Sequence, residues 1–170
     1  IVAQIVASIV GIALGSLAGY YGGWLDNVIS RVMEIFQAFP DLIFAMAIMT
    51  FMGKGVLNLF IALGLLTWVR TARMIRASVM QLKEKEYIEA SRACGASTYW
   101  IIMKGLVPNC LSTIIVLVTL GIPNAIMYEA SLSFLGIGIQ PPTPSWGNMI
   151  SAAQTFISYR PVYSIMPGVA

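Results

Sequence analysis

The first 25 residues of this chain, from Ile1 to Leu25, carry no charge. A helix rises 1.5 Å per residue, so about 20 apolar residues cross the hydrocarbon core of a bilayer. Within this run Ala3, Ala7, Gly11, Gly15, Gly19 and Gly23 recur every four residues. On a helix that spacing makes one ridge of small side chains, along which a second helix can approach closely. The competing reading is that membrane helices are simply rich in Gly and Ala. The run is not a signal peptide, because it has no basic n-region and its small residues mark no single cleavage site.

Composition extends the point to the whole chain. Of 170 residues 58% are hydrophobic, with only ten basic and seven acidic residues. A soluble domain carries about 25% charged residues, and one of this size could not bury so much apolar surface. A bilayer can, provided every backbone polar group is satisfied within helices. The expected fold is therefore all-α, a polytopic transmembrane helical bundle. There is no His, which removes His-based acid–base chemistry and most metal sites. Cys94 and Cys110 stand in no metal or redox spacing and read as inert thiols. No nucleophile elbow is present, and Gly53-Lys54 lacks the rest of a P-loop. If ATP powers this protein, another chain must bind it.

Further spans follow in order. GYYGGWLD (19–26) reads as a turn with aromatics at interface depth. A second span runs from about Val28 to Met52, with Arg31 and Glu34 three apart on one face and Pro40 expected to kink the helix beside Asp41. Asp41 is open to two readings, an interfacial anchor or a residue of a transport path. After a short loop at 52–58, a third span over 57–69 continues as helix beyond the interface. Seven of the ten basic residues lie between Arg70 and Lys104. The positive-inside rule puts that loop in the cytoplasm and, by alternation, the loop at Lys54 outside. Arg70, Arg73 and Arg76 line one helix face, read as solvated or against lipid headgroups. No groove-reading motif accompanies them, so nucleic-acid binding is not expected. A fourth span covers 108–128, with Pro108 suited to a helix start and Pro123 expected to kink its outer end. Residues 131–160 follow as an extracytoplasmic loop. Gly136, Gly138, Pro141, Pro142 and Pro144 exclude a straight spanning helix there, and a short helix is expected over 147–157. A last span opens near Tyr163. The chain begins at Ile1 inside an apolar run and ends at Ala170 in the opening of another, so further membrane helices are expected beyond each end.

The stretch EASRACGASTYWIIMKGLVP (89–108) stands apart. Tyr87–Cys94 reads as a short helix. Gly95 permits a left-handed turn that a Cβ would oppose, and Ser97 or Thr98 can cap a second short helix over 99–104. Helices this short need a partner surface, and Ala90, Ala93 and Gly95 offer a face of small residues. From physics alone the stretch is either a docking knob or an amphipathic linker lying on lipid.

The spacing resembles the EAA loop of ABC-importer permeases, the inner-membrane components of binding-protein-dependent transport. That pattern is Glu-Ala-Ala, three residues, Gly, nine residues, Ile-x-Leu-Pro. Here it reads Glu89-Ala90-Ser91, Gly95, then Gly105-Leu106-Val107-Pro108. Ser91 and Val107 are mild departures, whereas Gly105 removes a side chain that would help seat the second helix. YEASLSFLGIGIQPPTPSWGNMI (128–150) is similar to the signature of one branch, the C-type permease subunit of dipeptide, oligopeptide and nickel importers. GYYGGWLD, AFPDLIFA (38–45) and residues 68–97 fit the same branch.

The resemblance implies a single permease domain over 1–170, with a cytoplasmic coupling loop at 70–107. It implies a multi-pass protein of a bacterial or archaeal inner membrane, itself not an enzyme. The implied partners are a second permease subunit, two ATPase subunits that hold ATP and Mg, an extracytoplasmic binding protein and membrane lipid. Glu89, Ala90, Ser91, Gly95 and Pro108 would carry ATPase coupling, and Gly11, Gly15 and Gly19 helix packing. Gln140, Pro141, Pro142 and Trp146 would form an outer gate or meet the binding protein. Glu129 would contact substrate or a partner subunit. Peptides are the expected cargo and nickel the alternative. Outside this family, an ion-coupled transporter predicts acidic residues deep within spans, and a membrane enzyme predicts a nucleophile with its base. A purely structural subunit would fit the Gly ridge but not the EAA spacing.

Overall fold

The computed structural model describes residues 2–169, and all regular structure among them is helical. The elements are α1 (Val2–Tyr21), α2 (Gly23–Gln37), α3 (Asp41–Met52), α4 (Val56–Leu82), α5 (Glu86–Ala93), α6 (Thr98–Trp100), α7 (Leu111–Phe134), α8 (Trp146–Ala153) and α9 (Val162–Val169). Ile1 and Ala170 lie outside the described residues. Among those residues, Val2–Tyr21, Val56–Leu82 and Thr98–Phe134 are each long and apolar enough to cross a membrane, and α2 with α3 makes a fourth if the broken pair is one span. The chain divides into two compact units, residues 1–39 with 64–121, and residues 40–63 with 122–170.

In the first unit α1 packs on α4 through the glycine ridge. A Cβ at Gly11 would lie 2.7 Å from the Trp68 carbonyl oxygen, one at Gly15 2.4 Å from that of Ala72, and one at Gly19 2.7 Å from that of Arg76. Backbone thus meets backbone over two turns. The pairing also advances in the same direction on both helices, so α1 and α4 run parallel, as the alternation of spans requires. Ala3 and Ala7 are buried on the same face. Gly23 departs from the ridge: a Cβ there would meet nothing within 4 Å, and its φ of 55° serves the bend instead.

The region 19–26 is not an extended turn. α1 runs to Tyr21 and α2 begins at Gly23, so the reversal occupies Gly22 alone, with φ 64°. Two adjacent glycines at positive φ let one residue do this, at a conformation other residues resist. α2 then returns along α4, and Ile29 and Met33 join Trp68, Val69 and Ala72 in one core cluster. The Phe36 and Trp68 rings meet edge to face at 5.7 Å.

This reversal explains Arg76. Its guanidinium donates two hydrogen bonds to the Asp26 carboxylate, the Nη2–Oδ2 bond being 2.5 Å. Arg76 is therefore not part of a solvated face; Arg70 and Arg73 are exposed. Arg31 and Glu34 pair on the surface of α2 at 2.7 Å.

Pro40 breaks the second apolar stretch rather than kinking it. It is extended (φ −57°, ψ 132°) and stands at the N-cap of α3, a place where a proline costs no hydrogen bond. In the second unit Asp41 opens α3, where the helix dipole favours a carboxylate. It accepts a hydrogen bond from the Tyr128 hydroxyl at 2.6 Å. α7 extends to Phe134 with Pro123 inside it, so the irregular loop begins at Leu135, four residues later than expected. Ser145 caps α8, accepting from the Asn148 N–H at 3.2 Å. α8 covers most of the expected short helix and packs against α9, and the Phe156 ring, in the 3-10 turn after α8, lies 6.1 Å from that of Tyr163.

Candidate functional site: the α5–α6 loop

The loop is built on two helix ends. α5 closes in a Schellman arrangement: the Gly95 N–H donates to Arg92 O at 2.9 Å and the Ala96 N–H to Ser91 O at 3.0 Å. This geometry requires a left-handed residue at Gly95, whose φ is 80°. Two residues later the Ser97 hydroxyl accepts from the Trp100 N–H at 3.3 Å and starts the next helix. Between these ends lies a groove of about 490 Å³ lined by Ala90, Ser91, Cys94, Gly95, Ala96, Ser97 and Trp100. The small side chains keep it open, and Trp100 supplies its one large apolar wall.

The second helix is not the isolated short segment expected. From Thr98 the chain stays helical through to Phe134. A π turn over Ile101–Leu106 and a 3-10 turn over Pro108–Cys110 join α6 to α7. Pro108 is the reason: a proline inside an α-helix removes one bond and clashes with the carbonyl four residues back. The wider π turn relieves that clash, and the Val107 N–H bonds Ile102 O at 2.8 Å. The Gly105 carbonyl accepts from Asn109 Nδ2 at 2.6 Å and, more weakly, from the Tyr87 hydroxyl at 3.4 Å.

Gly105 does not weaken the seating of this helix. A Cβ there would lie 2.9 Å from Ile88 Cδ1, and Ile88 is fully buried. The side chain absent at 105 is replaced by one from α5. Ile88, Ile101, Ile102 and Leu106 form one cluster with Ile75 and Val79 of α4. Six buried aliphatic side chains, each worth about 1.5–3 kcal/mol on burial, hold the loop to the long helix below it. Two cations add to this at the end of α1: Lys83 Nζ donates to Gly19 O at 3.0 Å, and Arg92 lies 5.3 Å over the Tyr20 ring.

Of the residues singled out in the sequence, Ala90, Ser91 and Gly95 line the groove together. Glu89 is exposed beside it, and the Ser91 hydroxyl turns back to Tyr87 O at 2.7 Å. Pro108 lies away from the groove, at the joint to α7. Gly11, Gly15 and Gly19 belong to the α1–α4 contact. In the second unit Glu129 and Trp146 line one cavity of about 370 Å³ with Ile139, Pro144, Ser145 and Met149. The Gln140 side-chain amide donates to the Ile139 carbonyl at 3.1 Å, and the Gln140 carbonyl accepts from the Thr143 N–H at 3.2 Å. Pro141 and Pro142, joined by a cis peptide, are exposed and outside the cavity wall. Sequence reasoning missed Trp100, Ile88 and Arg92. Trp100 carried a readable signal, an aromatic residue three positions after a capping serine.

A multi-pass bundle with a groove-bearing helical loop at the end of its basic segment is the class these features define. The chain belongs to the family of binding-protein-dependent transport system inner membrane components, whose family model matches residues 11–170. It is 41% identical over 162 residues to a dipeptide transport system permease protein, DppC, of Alkalihalophilus pseudofirmus, covering 95% of this chain and 53% of that one. It is 37% identical over 166 residues to a glutathione transport system permease protein, GsiD, of Pectobacterium atrosepticum, covering 98% and 55%. It is 37% identical over 161 residues to an oligopeptide transport system permease protein, OppC, of Bacillus subtilis, covering 95% and 53%. The chain spans about half the length of the curated relatives it matches.

Proposed function

We propose that this chain is part of the permease subunit of an ATP-driven importer of di- and oligopeptides, and that the α5–α6 groove receives an ATPase subunit. The observation that carries the reading is the groove itself. Two helix ends hold a small-residue concavity open at the exposed tip of a basic loop, while the other side of the loop is buried. That is the form of a knob made to be covered. The relatives' names favour peptides over nickel as cargo.

In this mechanism one permease domain spans 1–170, with a coupling loop at 70–107 and an extracytoplasmic loop at 131–160. A second permease subunit completes the path, and a binding protein delivers substrate to the outer face. Two ATPase subunits carry ATP and Mg. Closure of the ATPases pushes α5 and α6. Because α6 is continuous with α7, and α5 is clamped to α4 and α1, the push acts on three helices without an intervening flexible joint. ATP thereby biases a two-state equilibrium between inward- and outward-open paths.

Cross-linking tests the groove. In the full-length protein co-expressed with its neighbouring genes, Ala90→Cys is combined with Cys94→Ser, because Cys94 is an exposed thiol four residues away. A cross-link from position 90 to an ATPase subunit supports the reading. A transporting complex with no such cross-link refutes it.

A further inference from the structure

Glu129 is held in place before anything binds to it. The Ser133 hydroxyl, buried one helical turn later, donates to Glu129 Oε1 at 2.7 Å and accepts from the Ile139 N–H at 3.0 Å. One buried hydroxyl therefore fixes both the carboxylate and the loop that passes over it. Asn148 Nδ2 donates to Ile139 O at 2.8 Å. Gly147 sits so close to α7 that a Cβ would lie 2.1 Å from Ala130 O. Two of these contacts, Ile139 to Ser133 and Gly147 to Ala130, pin the cavity walls to α7, and Asn148 to Ile139 ties the walls to each other.

The chemistry of that cavity is selective. Glu129 is the one ionisable group in the wall, and the rest is Ile139, Pro144, Ser145, Trp146 and Met149. A divalent metal ion asks for several oxygen ligands, and no group of three metal-ligating side chains occurs among the described residues. A carboxylate beside an indole in an apolar wall instead suits a monovalent ammonium with a carbon body: the carboxylate supplies the counter-charge, the indole a cation–π surface, and the aliphatic groups the contact. No cation among the described residues pairs with Glu129.

We propose that this cavity binds the amino-terminal ammonium of the transported peptide, with Glu129 as its counter-ion and Trp146 as its aromatic wall. This rests on the peptide reading above. Dipeptides, oligopeptides and glutathione, named as cargo of the similar proteins, have a primary ammonium in common. The cavity reads that shared group and leaves side chains and length to be selected elsewhere.

The test uses the complete permease–ATPase complex in proteoliposomes with its binding protein, labelled alanyl-alanine as substrate, and two readouts, uptake and binding-protein-stimulated ATP hydrolysis. Glu129→Gln keeps the shape and the Ser133 contact but loses the charge. It should lower uptake about tenfold at unchanged assembly and unchanged ATP hydrolysis. Glu129→Asp should fall between the two. Trp146→Leu should lose uptake and Trp146→Phe should retain part of it, since Phe keeps a π face, though a weaker one than the indole. Wild-type uptake by Glu129→Gln overturns the proposal. So does a parallel loss of assembly or ATP hydrolysis, which would make Glu129 a contact to a partner subunit. If the wild-type complex assembles and hydrolyses ATP yet imports no peptide, the peptide reading of the preceding section fails instead.

Discussion

Breaking the Asp26–Arg76 pair tests how the α1–α2 reversal is held to α4. The two side chains are 12% and 28% exposed and joined by two hydrogen bonds. Removing one partner of a buried pair costs about 3–5 kcal/mol, because the other charge stays buried and unpaired. Arg76 keeps some access to solvent, so Asp26→Leu is expected to cost about 2–4 kcal/mol. Arg76→Met strands Asp26, whose remaining contact is Ser30 Oγ at 3.4 Å, and should cost at least as much. For a chain of this size that is a fall of about 5–10 °C in thermal midpoint, measured on the detergent-purified complex. The double variant replaces the pair by apolar groups of similar volume and should lose clearly less than the sum, with a coupling of about 2 kcal/mol. The Arg31–Glu34 pair is the control. Its side chains are 80% and 55% exposed, and Arg31→Ala should cost no more than about 0.5 kcal/mol. Additive losses in the Asp26/Arg76 cycle, within about 0.5 kcal/mol, would refute the claim that this pair acts as a clamp.

Four further outcomes concern glycines. Gly15→Val should reduce the yield of folded protein sharply, since its Cβ would sit 2.4 Å from a backbone oxygen that cannot move aside. Gly64→Ala, with nothing within 4 Å, should instead raise stability by the ~0.5–1 kcal/mol that alanine gains in a helix, read as a higher thermal midpoint. At Gly95 the obstacle is backbone and not space: Gly95→Ala should cost about 1–2 kcal/mol and uncouple ATP hydrolysis from transport. Gly95→Asn, which tolerates the left-handed region, should be milder in both assays. Gly105→Ile should destabilise the loop by about 1–3 kcal/mol through overpacking against Ile88. Adding Ile88→Ala should recover part of that loss in hydrogen exchange of α5.

The features legible in the sequence are those written in a local period or a single residue's conformational need. The charge-free runs located the spans because a bilayer leaves apolar helix no alternative. The four-residue recurrence of Gly11, Gly15 and Gly19 located a close contact because only a missing Cβ allows one. Gly95 and Ser97 located the turn because each has one favoured place at a helix end. Proline was read less well. Pro40 and Pro108 each admit several solutions, an N-cap, a kink or a π turn. The choice depends on what the flanking helices pack against, which no window around the proline contains.

Partnerships across long separations were invisible for a different reason. Arg76 had the same spacing as Arg70 and Arg73, and nothing nearby distinguishes it. Its partner lies fifty residues away and reaches it only because Gly22 reverses the chain in one residue. Gly105 is the sharper instance. Taken alone it is a lost anchor, but beside Ile88 it is the half of a volume-matched pair that must be small. A departure from a motif therefore has no fixed sign: it weakens a site only where no neighbour has taken up the space. At Gly105 a fully buried isoleucine has, so the loop keeps its seat on α4 while using a different residue to hold it.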